Sequence, residues 1–301
     1  MGNSLAGKVA VVAGATRGAG RGIAVELGAR GTTVFACGRT SRDTASPMGR
    51  PETIEETADL VTKAGGEGIA IRCDFTSQSD VESLRERLEA DAAGRIDVLV
   101  NDVWGGDPFV EWGKPFWEHD LERSLTAWDN GMRSHLIALH RLTPLVIAAQ
   151  GLIIEITDGD RDDYYGSLFY DVVKAGIRRL GRVLGEDLGK HGVTALALTP
   201  GFLRSEAMLE GFGVTEQNWR DAAAKDPHFG ISETPHYVGR AVAALAADPD
   251  VHRWNGKTLS SWQLAHEYDF TDVDGSRPDW GAFRATVLAD NATEFDPEDY
   301  R

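Results

Sequence analysis

The chain has 301 residues, 42% of them hydrophobic, and its 47 acidic residues outweigh 31 basic ones to give a formal net charge of −16. That size and apolar content suffice for a sizeable packed core, while the negative balance opposes nucleic acid and anionic membrane surfaces through long-range repulsion. No run approaches the length of a membrane-spanning helix, and the first strand begins by residue 8 without a basic-then-apolar leader, which predicts a soluble, cytoplasmic protein.

No Pro/Gly/Ser-rich linker, internal repeat or low-complexity tract divides the chain, so one domain with loop insertions is expected over 1–301. An apolar run, Lys8 to Ala13, enters a turn with Gly14, Gly18 and Gly20, and leaves it on a helical pattern marked by Ile23, Ala24 and Leu27. This strand, glycine turn and helix suits a pyrophosphate. Backbone without Cβ atoms lets the anion reach N–H groups at a helix N-terminus, where the helix dipole favours negative charge. Arg17, Arg21, Arg39 and Arg42 supply local positive charge nearby.

Thr32 to Cys37 reads as a second strand, followed by an irregular loop over 39–50. Pro51 is expected to open a helix carrying Ile54, Ala58 and Val61, stopped by Gly65 and Gly66. Ile69 to Cys73 is a third strand, and Ser77 with Asp80 resembles a capping box before a helix reaching Gly94. Cys37 and Cys73 match neither a zinc spacing nor a disulfide framework and read as small buried residues.

Ile96 to Asn101 is a fourth strand whose apolar character suits a sheet covered on both faces. An aromatic loop with Trp104, Phe109, Trp112, Phe116 and Trp117 follows, then a helical region from Glu118 to Ala149 that contains Gly131 and Pro144. Leu152 to Thr157 is a fifth strand. Ile177, Leu180, Leu184 and Leu188 mark one face of the next helix, and Val193 to Leu198 is a sixth strand. Residues 202–233 are irregular and carry Phe202, Phe212, Trp219 and Phe229, the pattern of a substrate lid. A helix from Pro235 through Leu245 precedes a last strand, Lys257 to Trp262, and an acidic extension over 263–301. Alternating strands and helices predict an α/β fold, a Rossmann-like doubly wound parallel sheet of about seven strands with ligands at the strands' carboxyl ends.

Over residues 6–262 the order and spacing of these segments resemble the short-chain dehydrogenase/reductase family. Gly14, Gly18 and Gly20 match its Gly-x-x-x-Gly-x-Gly turn, with Ala13 in place of the usual leading threonine. Asp74 stands where the family sets an acid against adenine, and Asn101 ends strand four as in Asn-Asn-Ala-Gly, although Asp102, Val103 and Trp104 follow. Tyr170 and Lys174 form Tyr-x-x-x-Lys, and Pro200-Gly201 with Ser205 resembles the loop over the nicotinamide. The resemblance implies a nicotinamide site built from Gly14, Thr16, Arg17, Gly18, Ala19, Gly20, Arg39, Thr40, Asp74, Phe75, Asn101, Tyr170, Lys174, Pro200, Gly201, Leu203 and Ser205. It also implies a homodimer or homotetramer; the histidines and acids of the chain themselves suggest no metal.

An arginine after strand two clamps a ribose 2′-phosphate, whereas an acid there accepts the free 2′-hydroxyl and repels the phosphate. Here Gly38-Arg39-Thr40 has no acid until Asp43, and Arg17 lies in the glycine turn, so NADP(H) is expected. The implied reaction is hydride transfer between nicotinamide and a carbonyl or secondary-alcohol carbon. Tyr170 is the acid/base and Lys174, one helical turn on, lowers its pKa.

Two positions depart from the family. Asp158 stands where a serine usually binds the substrate oxygen, with the Thr157 hydroxyl adjacent, and His135 replaces the asparagine that organises a water chain. An ionised Asp158 would repel a developing alkoxide and raise Tyr170, a protonated one would donate like serine, and either residue also fits a structural role. The other reading these departures allow is a cofactor-binding sensor or partner subunit. The acidic loop of Asp158, Asp160, Asp162 and Asp163 lacks the calcium-loop pattern. Trp104, Trp112, Phe116, Phe202, Phe212 and Trp219 suit a mostly apolar or aromatic small-molecule substrate.

Overall fold

The computed structural model describes residues 4–289 and 295–301. Seven parallel strands form one sheet: β1 Val9–Ala13, β2 Thr33–Gly38, β3 Glu67–Arg72, β4 Val98–Asn101, β5 Leu152–Ile156, β6 Thr194–Thr199 and β7 Thr258–Ser260, in the order β3-β2-β1-β4-β5-β6-β7. Helices α1 Gly18–Gly28, α2 Ile54–Ala64, α3 Gln78–Asp91, α4 Leu121–Trp128, α5 Ser134–Ala149, α6 Leu168–Leu188, α7 Glu206–Phe212, α8 Pro235–Ala247, α9 Ser261–Tyr268 and α10 Trp280–Phe283 connect and cover it. This is the expected doubly wound arrangement.

Because side chains alternate along a strand, each buried strand feeds two cores. Ala10 and Val12 of β1 pack with Ile23 and Leu27 of α1 and Val238 and Val242 of α8. Val11 and Ala13 face the other layer, with Leu84 and Leu88 of α3, Leu139 and Leu142 of α5, and Leu180 of α6.

The order reverses between β1 and β4, which opens a crevice at the strands' carboxyl ends. Ala13 pairs with Asn101, and Asn101 pairs with Glu155, so those ends lie level. The glycine turn, the residues after Asn101 and the loop after Ile156 therefore emerge side by side.

Several boundaries differ from the sequence expectation. Pro51 stays outside α2: Thr53 caps it, its hydroxyl accepting the Glu56 N–H while the Glu56 carboxylate accepts the Thr53 N–H. The helical region expected over 118–149 consists of α4, a π segment Asp129–Arg133 that contains Gly131, and α5, preceded by a 3-10 turn Phe116–Glu118. Asp120 caps α4, and the Ser134 hydroxyl donates to the Asn130 and Gly131 carbonyls at the π segment. Pro144 lies inside α5 without ending it. The last strand stops at Ser260, whose hydroxyl accepts the Gln263 N–H, so Trp262 belongs to α9.

The extension after residue 263 folds back onto 202–233. Phe283 packs with Ile231. The Arg301 side chain, 1% exposed, pairs with Asp274 and donates to the Gly230 and Ser232 carbonyls. Within 202–233, Trp219, Ala222 and Phe229 gather Phe202, Met208 and Phe212 into a small core. Among the described residues no helix is long and apolar enough to cross a membrane.

Candidate active site

A cavity of about 660 Å³ runs along the crevice from the glycine turn to Tyr170. At one end, close backbone approach explains the glycines. Gly14 has φ +89, and a Cβ there would overlap the Asp102 carbonyl, while one on Gly20 would overlap the Gly14 carbonyl. Thr16, Arg17, Gly18, Ala19, Arg39, Thr40, Asp74 and Phe75 line this end, and Pro200, Gly201, Leu203 and Ser205 close it from the other side. This groove of bare backbone and arginines fits the phosphates and ribose of a dinucleotide. Gly20 and Asn101 stand behind the lining.

The four arginines differ. Arg21 donates to Thr57, the Thr16 carbonyl and Glu56, and Arg42 to Asp59, so both are spent on the fold. Arg17 and Arg39 face the cavity. Burial lowers the Arg17 pKa, partly opposed by Glu52.

At the other end α6 presents Tyr170 and Lys174 one turn apart. The Tyr170 hydroxyl donates to Asp158 Oδ2 at 2.6 Å. Burial, then the Asp158 charge, push the phenol well above its ordinary range, against the expectation that Lys174 would lower it. Low-dielectric surroundings and a carboxylate in contact both hold the proton on. Burial likewise lowers Lys174, opposed by Asp158, Asp102 and Asp107. Its ammonium sits 4.3 Å from the Trp104 ring centroid and 5.5 Å from that of Tyr170. The Thr157 hydroxyl donates to the Lys174 carbonyl at 2.8 Å, and it is Asp158 that hydrogen-bonds Tyr170.

His135 is buried behind the cavity. Its Nε2 lies 3.0 Å from the Val103 carbonyl and its Nδ1 lies 2.6 Å from Glu155 Oε2. Asn101 Nδ2 donates to Glu155 Oε1 at 3.2 Å. The three residues tie β4, β5 and α5 together beneath the site.

Of the aromatic residues, Trp104 and Phe202 line the cavity. Trp112 packs on the Tyr170 ring at 5.2 Å, Phe116 and Trp117 are exposed, and Phe212 and Trp219 are packed in the small core of 202–233.

Sequence reasoning missed several residues. Asp102 is buried against the Gly20 N–H, and burial raises its carboxyl to about 7. Glu206 Oε2 accepts the Gly18 N–H at 2.8 Å, placing a carboxylate at the glycine turn. Trp280 and Arg284, from the C-terminal extension, reach the cavity wall. Glu155 and Glu206 each sit beside a highlighted motif, yet no local signal names their partners.

The family model described as enoyl-(acyl carrier protein) reductase matches residues 13–259. Mouse dehydrogenase/reductase SDR family member 1 is 34% identical over 278 residues, covering 89% of this chain and 84% of that protein. The chain belongs to the short-chain dehydrogenase/reductase family. As a member it is an oxidoreductase of a nicotinamide-using family. Solved structures agree in fold: Escherichia coli hydroxysteroid dehydrogenase has TM-score 0.67 at 23% identity, covering 86% of this chain and 97% of that one. A putative 2-deoxy-D-gluconate 3-dehydrogenase from Agrobacterium tumefaciens, solved with bound NADP, has TM-score 0.67 at 20% identity, covering 86% of this chain and 96% of that one.

Proposed function

We propose that this short-chain dehydrogenase/reductase transfers hydride between NADP(H) and a carbonyl or secondary-alcohol carbon of a mostly apolar small molecule. The observation that carries the reading is Tyr170 and Lys174 sharing one cavity with the glycine turn, beside Asp158 at 2.6 Å. The glycine turn, Arg17, Arg39, Asp74 and Ser205 would hold the cofactor, Lys174 its nicotinamide ribose, and the bound nicotinamide supplies or accepts the hydride. NADP(H) over NAD(H) is supported by Arg17 and Arg39 at the cavity and by the absence of an acid directly after β2.

Tyr170 moves the proton. A phenol held above its ordinary range is a poor base, but it still gives its proton to an alkoxide, a far stronger base than phenolate. The arrangement therefore suits carbonyl reduction, with Tyr170 as donor. Lys174 opposes the Asp158 charge and stabilises the phenolate that remains. Residues 202–233 and the C-terminal extension contribute Phe202, Trp280 and Arg284 to the cavity wall, and Trp104 and Trp262 add apolar surface.

The test is Tyr170→Phe. NADPH affinity, followed by fluorescence, stays within about twofold of wild type, and ketone-dependent NADPH oxidation falls by about 10²–10⁴-fold. Equal turnover in both proteins refutes the assigned role. NADPH binding by wild type without turnover of any ketone or alcohol in a broad panel supports the cofactor-sensor reading instead.

A further inference from the structure

The site has a problem as a generic ketone reductase. Its reacting end offers Asp158, where a hydroxyl would stabilise a carbonyl oxygen, and Asp158 both occupies the Tyr170 proton and repels a growing negative charge on oxygen. Thr157 brings no relief, because its hydroxyl is committed to the Lys174 carbonyl. Asp107 lies at the same end, accepting the Trp104 indole N–H at 2.5 Å. Lys174 is the nearby cation, and three acids, Asp158, Asp102 and Asp107, act on it. Arg284 at the rim is already paired with Asp163.

Resting on the oxidoreductase reading, we propose that the substrate carries a protonated amine close to its reacting carbon, and that Asp158 receives this ammonium while Tyr170 addresses the neighbouring oxygen. The Tyr170 hydroxyl oxygen and Asp158 Oδ2 are 2.6 Å apart. Groups this close together can be reached at once by an amine and an oxygen a few bonds apart on one small molecule. The surrounding walls suit the same ligand. Tyr165 packs on Tyr170 with ring centroids 6.1 Å apart, and Trp262 and Trp280 line the cavity with them, while the Trp104 ring already carries the Lys174 ammonium. Electron-rich ring faces attract an organic ammonium, most strongly where water is excluded. The net charge of −16 adds long-range attraction for cations.

The ammonium also resolves the chemistry. Paired with Asp158, it cancels the charge that holds the Tyr170 proton and repels the developing alkoxide. The phenol then becomes a more effective donor. A neutral ketone of the same shape leaves that charge in place, so the site selects by charge as well as by fit.

The test compares β-(dimethylamino)propiophenone with its neutral carbon isostere isohexanophenone. Binding to wild-type protein, with and without NADP present, is measured by tryptophan fluorescence and calorimetry, and NADPH oxidation is followed with both ketones. The amine binds at least about tenfold more tightly than the isostere, and the advantage appears in KM and in kcat. Asp158→Asn, shown to be folded by circular dichroism, brings the binding ratio close to one. Equal or tighter binding of the neutral isostere to wild type overturns the proposal, and that comparison needs no variant. An unchanged ratio in Asp158→Asn overturns the role of Asp158. A protein that binds NADPH and reduces neutral ketones as readily as the amine refutes this inference alone, whereas failure to bind any nicotinamide cofactor refutes the oxidoreductase reading.

Discussion

Replacing His135 with alanine isolates the buried polar cluster beneath the site. His135 is 1% exposed and Glu155 0%. The Val103 carbonyl only accepts, so Nε2 is the donor to it, and Nδ1 contacts Glu155 Oε2 at 2.6 Å. In His135→Ala the carboxyl keeps only the Asn101 amide, at 3.2 and 3.5 Å, and Val103 loses its donor. Breaking one side of such a pair costs about 3–5 kcal/mol, because the surviving polar group stays buried. At about 2 °C per kcal/mol for a chain of this size, the melting temperature falls by about 6–10 °C. Circular-dichroism melts of His135→Leu, Glu155→Leu and the double variant complete the argument, the double variant being less destabilised than the sum of the two singles. A His135→Ala melt within about 2 °C of wild type, or strictly additive single effects, refutes the reasoning.

Arg39→Ala weakens NADPH at least about tenfold more than NADH in fluorescence titrations, through loss of a charged phosphate contact, and an unchanged preference overturns the cofactor assignment. Glu206→Gln lowers the NADPH dissociation constant, since the carboxylate on the Gly18 N–H stands where the helix terminus attracts anions; calorimetry showing equal or weaker binding contradicts this. Burial raises Glu233 to about 8. The folded state then keeps a proton that the unfolded chain loses above its ordinary pKa, so stability falls between about pH 4.5 and 8, by at most about 1.4 kcal/mol per unit. Glu233→Gln removes this slope and gains on wild type in melts at pH 8 relative to pH 5, while a constant difference between the two proteins refutes the assignment.

Residues 202–233 and the C-terminal extension show why local reading has a limit. The four aromatics of 202–233 are visible in sequence, but of them only Phe202 lines the cavity, and Phe212, Trp219 and Phe229 are consumed in packing the segment itself. The extension is acidic in sequence, and two of its acids pair with arginines of the same extension: Asp274 with Arg301 and Asp269 with Arg277. That pairing lets the extension lie over 202–233 and deliver Trp280 and Arg284 to the cavity.

The sequence by itself determined the sheet, its parallel sense and the edge at which a ligand belongs, because strand and helix periods, glycine turns and caps are properties of neighbouring residues. The pairing of Tyr170 with Lys174 is equally local, one turn of one helix. Only the tertiary structure decided which side chains meet across the crevice. Asp158 and not Thr157 faces Tyr170, the phenol is raised and not lowered, His135 is bound to Glu155, and Glu206 lies on the Gly18 N–H. Each of these joins elements distant in sequence, and each depends on burial, which fixes both the dielectric around a charge and the partners available to it.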